Sequence, residues 1–129
     1  MGEIIKIHCN TCRKNWEHTI GCGLQHGSIG NVIAAFEAKE QKQIIDWCQT
    51  KPIPLYDFRY QIAVCNFCKD LVNVPVLRGS DENVTFVGTC PICHGLLQTP
   101  PLEAEDVSDA ACPSCGNTTL TIEEVGHWD

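Results

Sequence analysis

The chain has 129 residues, ten cysteines and a formal net charge of −7, a length that fits one ordinary domain or two very small modules with a modest apolar core. Something besides burial is therefore expected to hold it together. The acidic balance opposes general nucleic-acid binding, no apolar run approaches the roughly 18 residues of a membrane span, and the N-terminus MGEIIKIHC lacks the apolar stretch of a secretory signal.

Residues 3–8, EIIKIH, predict a short strand that delivers the pair Cys9 and Cys12. The Gly-rich stretch from Gly21 to Gly30 then reads as loop. From Asn31 to Gln49 the residues Val32, Ile33, Phe36, Ile44, Ile45, Trp47 and Cys48 recur at helical spacing around AKEQKQ, which predicts one long helix or two short ones. Ser28 or Asn31 can cap its start and Pro52 and Pro54 stop it. Arg59 to Val64 predicts an extended segment running into Cys65 and Cys68, and Leu71–Leu77 with Val84–Val87 predicts a hairpin around the turn RGSDEN. After Cys90 and Cys93, GLLQ reads as a short strand, TPPLEAEDVSDA as a Pro-rich acidic connector leading to Cys112 and Cys115, and Thr118–Val125 as a final strand before GHWD.

Eight of the ten cysteines thus form four CxxC pairs, leaving Cys22 and Cys48 over. Two residues between cysteines let the backbone fold into a knuckle that sets both sulfurs on one cation, with its N–H groups turned toward the thiolates. Four knuckles, Cys9/Cys12, Cys65/Cys68, Cys90/Cys93 and Cys112/Cys115, predict two closed four-sulfur metal sites. Disulfides within each pair need an oxidising compartment, and redox-active CxxC motifs need a thioredoxin-like context; neither is visible. Zinc is the expected metal, two ions in all, with iron in a rubredoxin-like tetrathiolate as its rival. Two such sites lower the total charge to roughly −11, each contributing −2.

CNTC and CNFC follow extended segments, whereas CPIC and CPSC precede them, which suggests two leading and two closing knuckles. The nested arrangement joins Cys65 and Cys68 to Cys90 and Cys93, and Cys9 and Cys12 to Cys112 and Cys115; interleaved and sequential pairings remain open. Gly116 follows only the last pair, while Arg13, Lys69 and His94 hold the corresponding positions after the other three, so those residues must tolerate positive φ or the turn must differ.

The knuckles with their strands resemble zinc ribbons. The order of parts, GCG followed by a helix, a CxxC and two CPxC knuckles ending in Gly126, His127, Trp128 and Asp129, is similar to small bacterial proteins with several CxxC knuckles and a C-terminal Gly-x-Trp-Asp. That resemblance implies zinc binding and no particular activity. The expected fold is a small α+β arrangement of zinc-ribbon-like β-hairpins with one or two helices and two structural metal sites. It forms a single unit over 1–129: first knuckle and loop 1–30, helical segment 31–49, ribbon 58–99, and acidic connector with C-terminal knuckle 100–129.

His18, Cys22 and His26 are four apart, but the intervening glycines argue against a helical metal face. A compact loop near the first knuckle is expected, with both histidines exposed and Cys22 filling a small apolar position. Cys48 reads as a buried small hydrophobe, His8 and His94 as exposed or supporting neighbours of the ligands, and Trp128 as docked inward over the last ribbon. Glu103–Asp109 reads as a solvated connector. No Walker loop, HExxH or GxSxG is present, so no catalytic residue is assigned. The expected function is a non-catalytic, cytoplasmic zinc protein that contacts another protein. The alternatives are a thiol-redox or iron electron-transfer protein, and a nucleic-acid adaptor that needs Lys6, Arg13, Lys14, Arg59, Lys69 and Arg78 to cluster on one face.

Overall fold

The computed structural model describes residues 2–50, 55–79 and 84–128. Along it run β1 (Gly2–Cys9), β2 (Asn15–Gly21), a 3-10 turn (Leu24–Gly27), α1 (Ile29–Ala34), α2 (Ala38–Gln49), β3 (Tyr56–Cys65), β4 (Asp70–Gly79), β5 (Thr85–Val87), a second 3-10 segment (Ala104–Asp109) and β6 (Leu120–Trp128). The strands form one antiparallel sheet in the order β5-β4-β3-β2-β1-β6. Among the described residues no helix is long and apolar enough to cross a membrane.

The sheet consists of two three-stranded ribbons joined at one point. β2 pairs with β3 only through Gly21 and Tyr60, and further along three hydrogen bonds tie it to β4 instead. Trp16 Nε1 donates to Asp70 Oδ1, His18 Nε2 donates to the Leu71 carbonyl at 2.9 Å, and Asn73 Nδ2 donates to the Thr19 carbonyl at 3.0 Å. In β1 the period-2 pattern holds: Ile5, Ile7 and Cys9 are buried while Lys6 is exposed. Those residues meet Trp16, Ile62, Leu71, Val107 and Leu120 in one apolar cluster. On the opposite face of β3 and β4, Ala63, Val72, Val74 and Val76 form a second cluster with Cys65 and Cys90. The helices close a third around Val32, Phe36, Ile44, Phe58 and Leu77.

The helical segment is two helices. Ser28 occupies the N-cap position of α1 with extended φ and ψ, but its hydroxyl makes no capping bond; its carbonyl accepts from Asn31 and Val32. Helix α2 ends at Gln49, where Thr50 bonds back to the Trp47 carbonyl. Pro52 and Pro54, and Ser80–Asn83 of the RGSDEN turn, lie outside the described residues, as does Asp129. The hairpin of β4 with β5 is present, pairing Val76 with Val87. It stops there because Gly88 N–H reaches the Pro75 carbonyl and Pro75 has no N–H to return. A side chain at Gly88 would strike the Pro75 ring at 2.7 Å.

Two expectations are corrected. GLLQ is not a strand: residues 95–98 enter no ladder, and the pairing that follows is a single bridge, Leu102 to Ile62, which Pro100 and Pro101 cannot extend because they have no N–H to donate. The 21–30 stretch is only partly loop, since β2 extends into it and α1 begins at Ile29. The final strand runs Leu120–Trp128, with Val125 as the extra residue of a bulge opposite Ile4 and Ile5.

Candidate metal centre

Each knuckle is a short backbone device, and all four share it. Arg13, Lys69, His94 and Gly116, the residues four after each leading cysteine, have φ of 64°, 54°, 60° and 81°. The N–H of the same residue bonds to the carbonyl of the first cysteine in three of them: Arg13 to Cys9 (2.9 Å), His94 to Cys90 (2.9 Å) and Gly116 to Cys112 (2.8 Å). Cysteine N–H groups close the turn from the other side onto Lys14, Gly95 and Asn117, while Cys65 pairs with Asp70 in the β3–β4 ladder. The left-handed residue is thus built into the turn, at a cost of roughly 1–2 kcal/mol wherever it is not glycine.

The knuckles Cys9/Cys12 and Cys65/Cys68 are the tips of the β1–β2 and β3–β4 hairpins. Cys112/Cys115 precedes β6, as a closing knuckle should, whereas Cys90/Cys93 follows β5 and leads into no strand. The chain brings them together in nested order. Cys9, Cys12, Cys112 and Cys115 form one group and Cys65, Cys68, Cys90 and Cys93 the other, with all sulfurs of a group within 4.8 Å of one another. The first cysteine of every knuckle is buried and the second more exposed, so each group is floored by its own apolar cluster and open to solvent above.

The spacing matches a single tetrahedral cation. A metal–sulfur bond of about 2.3 Å gives a tetrahedron whose edges are about 3.8 Å. Two edges of each group match it, 3.6 Å for Cys9–Cys115 and 3.7 Å for Cys12–Cys112, 3.7 Å for Cys65–Cys93 and 3.9 Å for Cys68–Cys90, and the other edges stay within 4.8 Å. A multi-iron cluster sets its thiolates on different iron atoms and spreads them further. Two tetracysteine sites suited to metal ions are therefore present, and no third group of this kind occurs among the described residues.

Electrostatics distinguishes the members of each group. The Thr119 hydroxyl, aided by the Cys12 N–H, pulls the Cys9 thiol down to about 5, and the Cys68 N–H brings Cys65 to about 7. Burial, reinforced by neighbouring sulfurs, pushes Cys68 up to about 12 and Cys112 to about 11. Four crowded thiols cannot all ionise unaided; a divalent cation removes that obstacle. Thr119, which also meets Thr11 Oγ1 at 2.7 Å, and Asn117, whose amide donates to Cys115 Sγ at 3.6 Å, escape sequence reasoning. Their only signal is position just after the last knuckle, and Thr119 finds Cys9 across 110 residues.

The remaining candidates fall elsewhere. His18 is half-buried against Leu71, and His26 is only 6% exposed, so both histidines depart from the expected exposure. The loop that carries His26 lies at the far end of β2 from the knuckle, because β2 spans the intervening distance. There the Gly23 N–H donates to His26 Nδ1, and the ring packs among Phe58, Tyr60 and Trp128. Cys22 and Cys48 are partly buried against the helical cluster, and burial pushes the Cys48 thiol up. His8 donates to Asn15 and exposed His94 to Glu37, each at 2.6 Å, and neither enters a sulfur group. Trp128 docks inward at the end of β6 remote from the Cys112/Cys115 knuckle, where its Nε1 donates to the Ile20 carbonyl of β2 at 2.9 Å. Gly2 leaves room for that ring, since a Cβ there would lie 2.0 Å from Nε1.

No protein-family model matches the chain, and no solved structure does. Part of it is similar to 4-hydroxy-3-methylbut-2-en-1-yl diphosphate synthase (ferredoxin) from cyanobacteria. The identity is 49% over 58 residues for the enzyme of Thermosynechococcus vestitus, covering 45% of this chain and 13% of the enzyme. The Crocosphaera subtropica enzyme is 33% identical over 58 residues, with the same coverage. That of Synechococcus sp. is 46% identical over 37 residues, covering 29% of this chain and 9% of the enzyme. The chain thus spans about an eighth or less of the length of these relatives.

Proposed function

We propose that the chain is a non-catalytic zinc protein with two structural tetrathiolate sites, Cys9–Cys12–Cys112–Cys115 and Cys65–Cys68–Cys90–Cys93, which acts in the cytoplasm as a scaffold presenting a surface to another protein. The observation that carries this reading is the convergence of four sulfurs in each group, all within 4.8 Å of one another and with two separations of 3.6–3.9 Å in each. Four protein sulfurs leave no position for water or substrate, which is the arrangement of structural zinc. Zinc, when bound, supplies folding energy to a chain whose apolar core is divided into three small clusters. Elemental analysis of the purified protein should find two zinc ions per chain, and chelation followed by circular dichroism should abolish the fold. Recovery of metal-free protein whose spectrum is indifferent to chelator would refute the reading.

A second reading, an iron tetrathiolate electron carrier, draws support from the likeness to enzymes whose name carries ferredoxin. Iron binds the same donor set at similar distances. The two readings separate on the visible absorption of the protein as isolated: a coloured preparation that bleaches on reduction favours iron, and a colourless one zinc.

A further inference from the structure

Between the two ribbons, the segment from Pro100 to Glu105 forms a ridge with a depression on either side. On one side a cleft of about 190 Å³ is lined by three carboxylates, Glu3, Glu103 and Glu105, with one cation, Arg59, beside Tyr60 and Leu102. On the other, a groove of about 360 Å³ is mostly apolar, lined by Val64, Thr99, Pro100, Pro101, Leu102, Ala110 and Ala111. Leu102 faces both. The ridge is held firmly. Leu102 N–H bonds to the Ile62 carbonyl at 2.7 Å, and Gln61, only 3% exposed, donates to Glu103 at 3.0 Å and accepts from Arg78 at 3.2 Å. Arg59 lies 3.6 Å from Glu103 and balances its charge. Glu3 and Glu105 carry no ion pair among the described residues, and exposed Asp106 and Asp109 follow on the same segment.

We propose that this ridge, with its two flanks, binds a basic amphipathic segment of another protein. Apolar side chains would fill the groove, and a lysine or arginine would enter the cleft beside Glu3 and Glu105. Charge complementarity selects the occupant. A second copy of this chain brings its own −7 and, in an isologous pair, the same acidic flank, and a phosphate backbone is repelled for the same reason. The inference rests on the scaffold reading above and gives that scaffold its partner class.

The test is fluorescence anisotropy of the metal-loaded protein with a labelled synthetic amphipathic peptide of leucine and lysine, beside its leucine–glutamate counterpart. Metal content and circular dichroism are recorded for every variant. The leucine–lysine peptide should bind and its acidic counterpart should not. Glu3→Lys combined with Glu105→Lys, and separately Ala110→Asp in the groove, should each weaken binding by about tenfold or more, while Asp46→Lys on exposed α2 leaves it unchanged. Equal weakening by Asp46→Lys would reduce the effect to bulk charge and overturn the proposal. So would absence of binding, or self-association in sedimentation, by a protein that holds two metal ions. Loss of metal or fold in the unsubstituted protein would instead refute the scaffold reading itself.

Discussion

The two sulfur groups use the same knuckle but enclose very different lengths of chain. Cys12 and Cys112 are 100 residues apart, Cys68 and Cys90 only 22. Two doublings of loop length correspond to a closure cost greater by about 1.2 kcal/mol. The first group joins the β1–β2 tip to the start of β6, over a cluster drawn from β1, β2, β3, β4, the Ala104–Asp109 segment and β6. The second rests on Ala63, Val72, Val74 and Val76 of a single hairpin. Hydrogen-bond donors differ as well. Thr119 and Asn117 offer side chains to the first group, whereas the donors to the second are backbone N–H groups such as Cys68 to Cys65 and Ile92 to Cys90, both at 3.4 Å. The local motif thus sets knuckle geometry, and the connectivity around it sets how much of the molecule depends on each site.

The largest effect is expected from the ligands. Cys112→Ser and Cys90→Ser should each lower the metal content from two ions to one, removing a contribution on the order of 10 kcal/mol. Their reach should differ: hydrogen exchange should show β1, β2 and β6 unprotected in Cys112→Ser but still protected in Cys90→Ser. Equal loss across the whole sheet in both variants would erase the distinction between a global and a local site.

A smaller effect is expected at His26, which lies away from both groups. Burial holds its imidazole below the ordinary value of 6.5, so the unfolded chain takes up the proton first. Stability should therefore rise with pH up to about 6.5 and be lost as pH falls below it. Urea titrations at several pH values should show this acid-side slope reduced in His26→Phe. An unchanged slope would assign the acid sensitivity to other groups, the thiolates and Glu37, whose carboxyl the His94 hydrogen bond holds down, among them.

Smaller still are the left-handed positions. At Gly116, where a Cβ would meet nothing within 4 Å but φ is +81°, Gly116→Ala should destabilise by about 1 kcal/mol through the backbone alone. Lys69→Gly in the other group should stabilise by somewhat less, because glycine loses more freedom on folding. Thermal melts with metal present measure both. The smallest change is expected at the surface. Phe67 is 83% exposed at the tip of the second group, where the first group carries Thr11, and Phe67→Ser should alter stability by no more than about 0.5 kcal/mol.

The parts of the molecule legible in its sequence are those whose causes lie within a few residues. The spacing of the cysteines specifies four knuckles, and a tight turn demands a left-handed residue whatever its identity, as Arg13, Lys69 and His94 demonstrate. The alternation of EIIKIH predicts β1 and the flanks favour the nested grouping, because a hairpin between two knuckles brings its ends together.

What depends on remote contacts was decided only in three dimensions. β2 has a weak alternating pattern, with Trp16 alone buried, and is held by seven β1 partners on one edge and by Asp70, Leu71 and Asn73 beyond it. His26 is buried because Phe58, Tyr60 and Trp128 converge on it from β3 and β6, and Trp128 finds the Ile20 carbonyl 108 residues away. Sequence spacing supplied the sulfur donors by itself, since two cysteines in one knuckle need no distant partner to adopt their geometry. Which knuckles meet, and what each meeting holds together, required the whole chain to fold, because burial of apolar surface between remote strands provides the force that closes them.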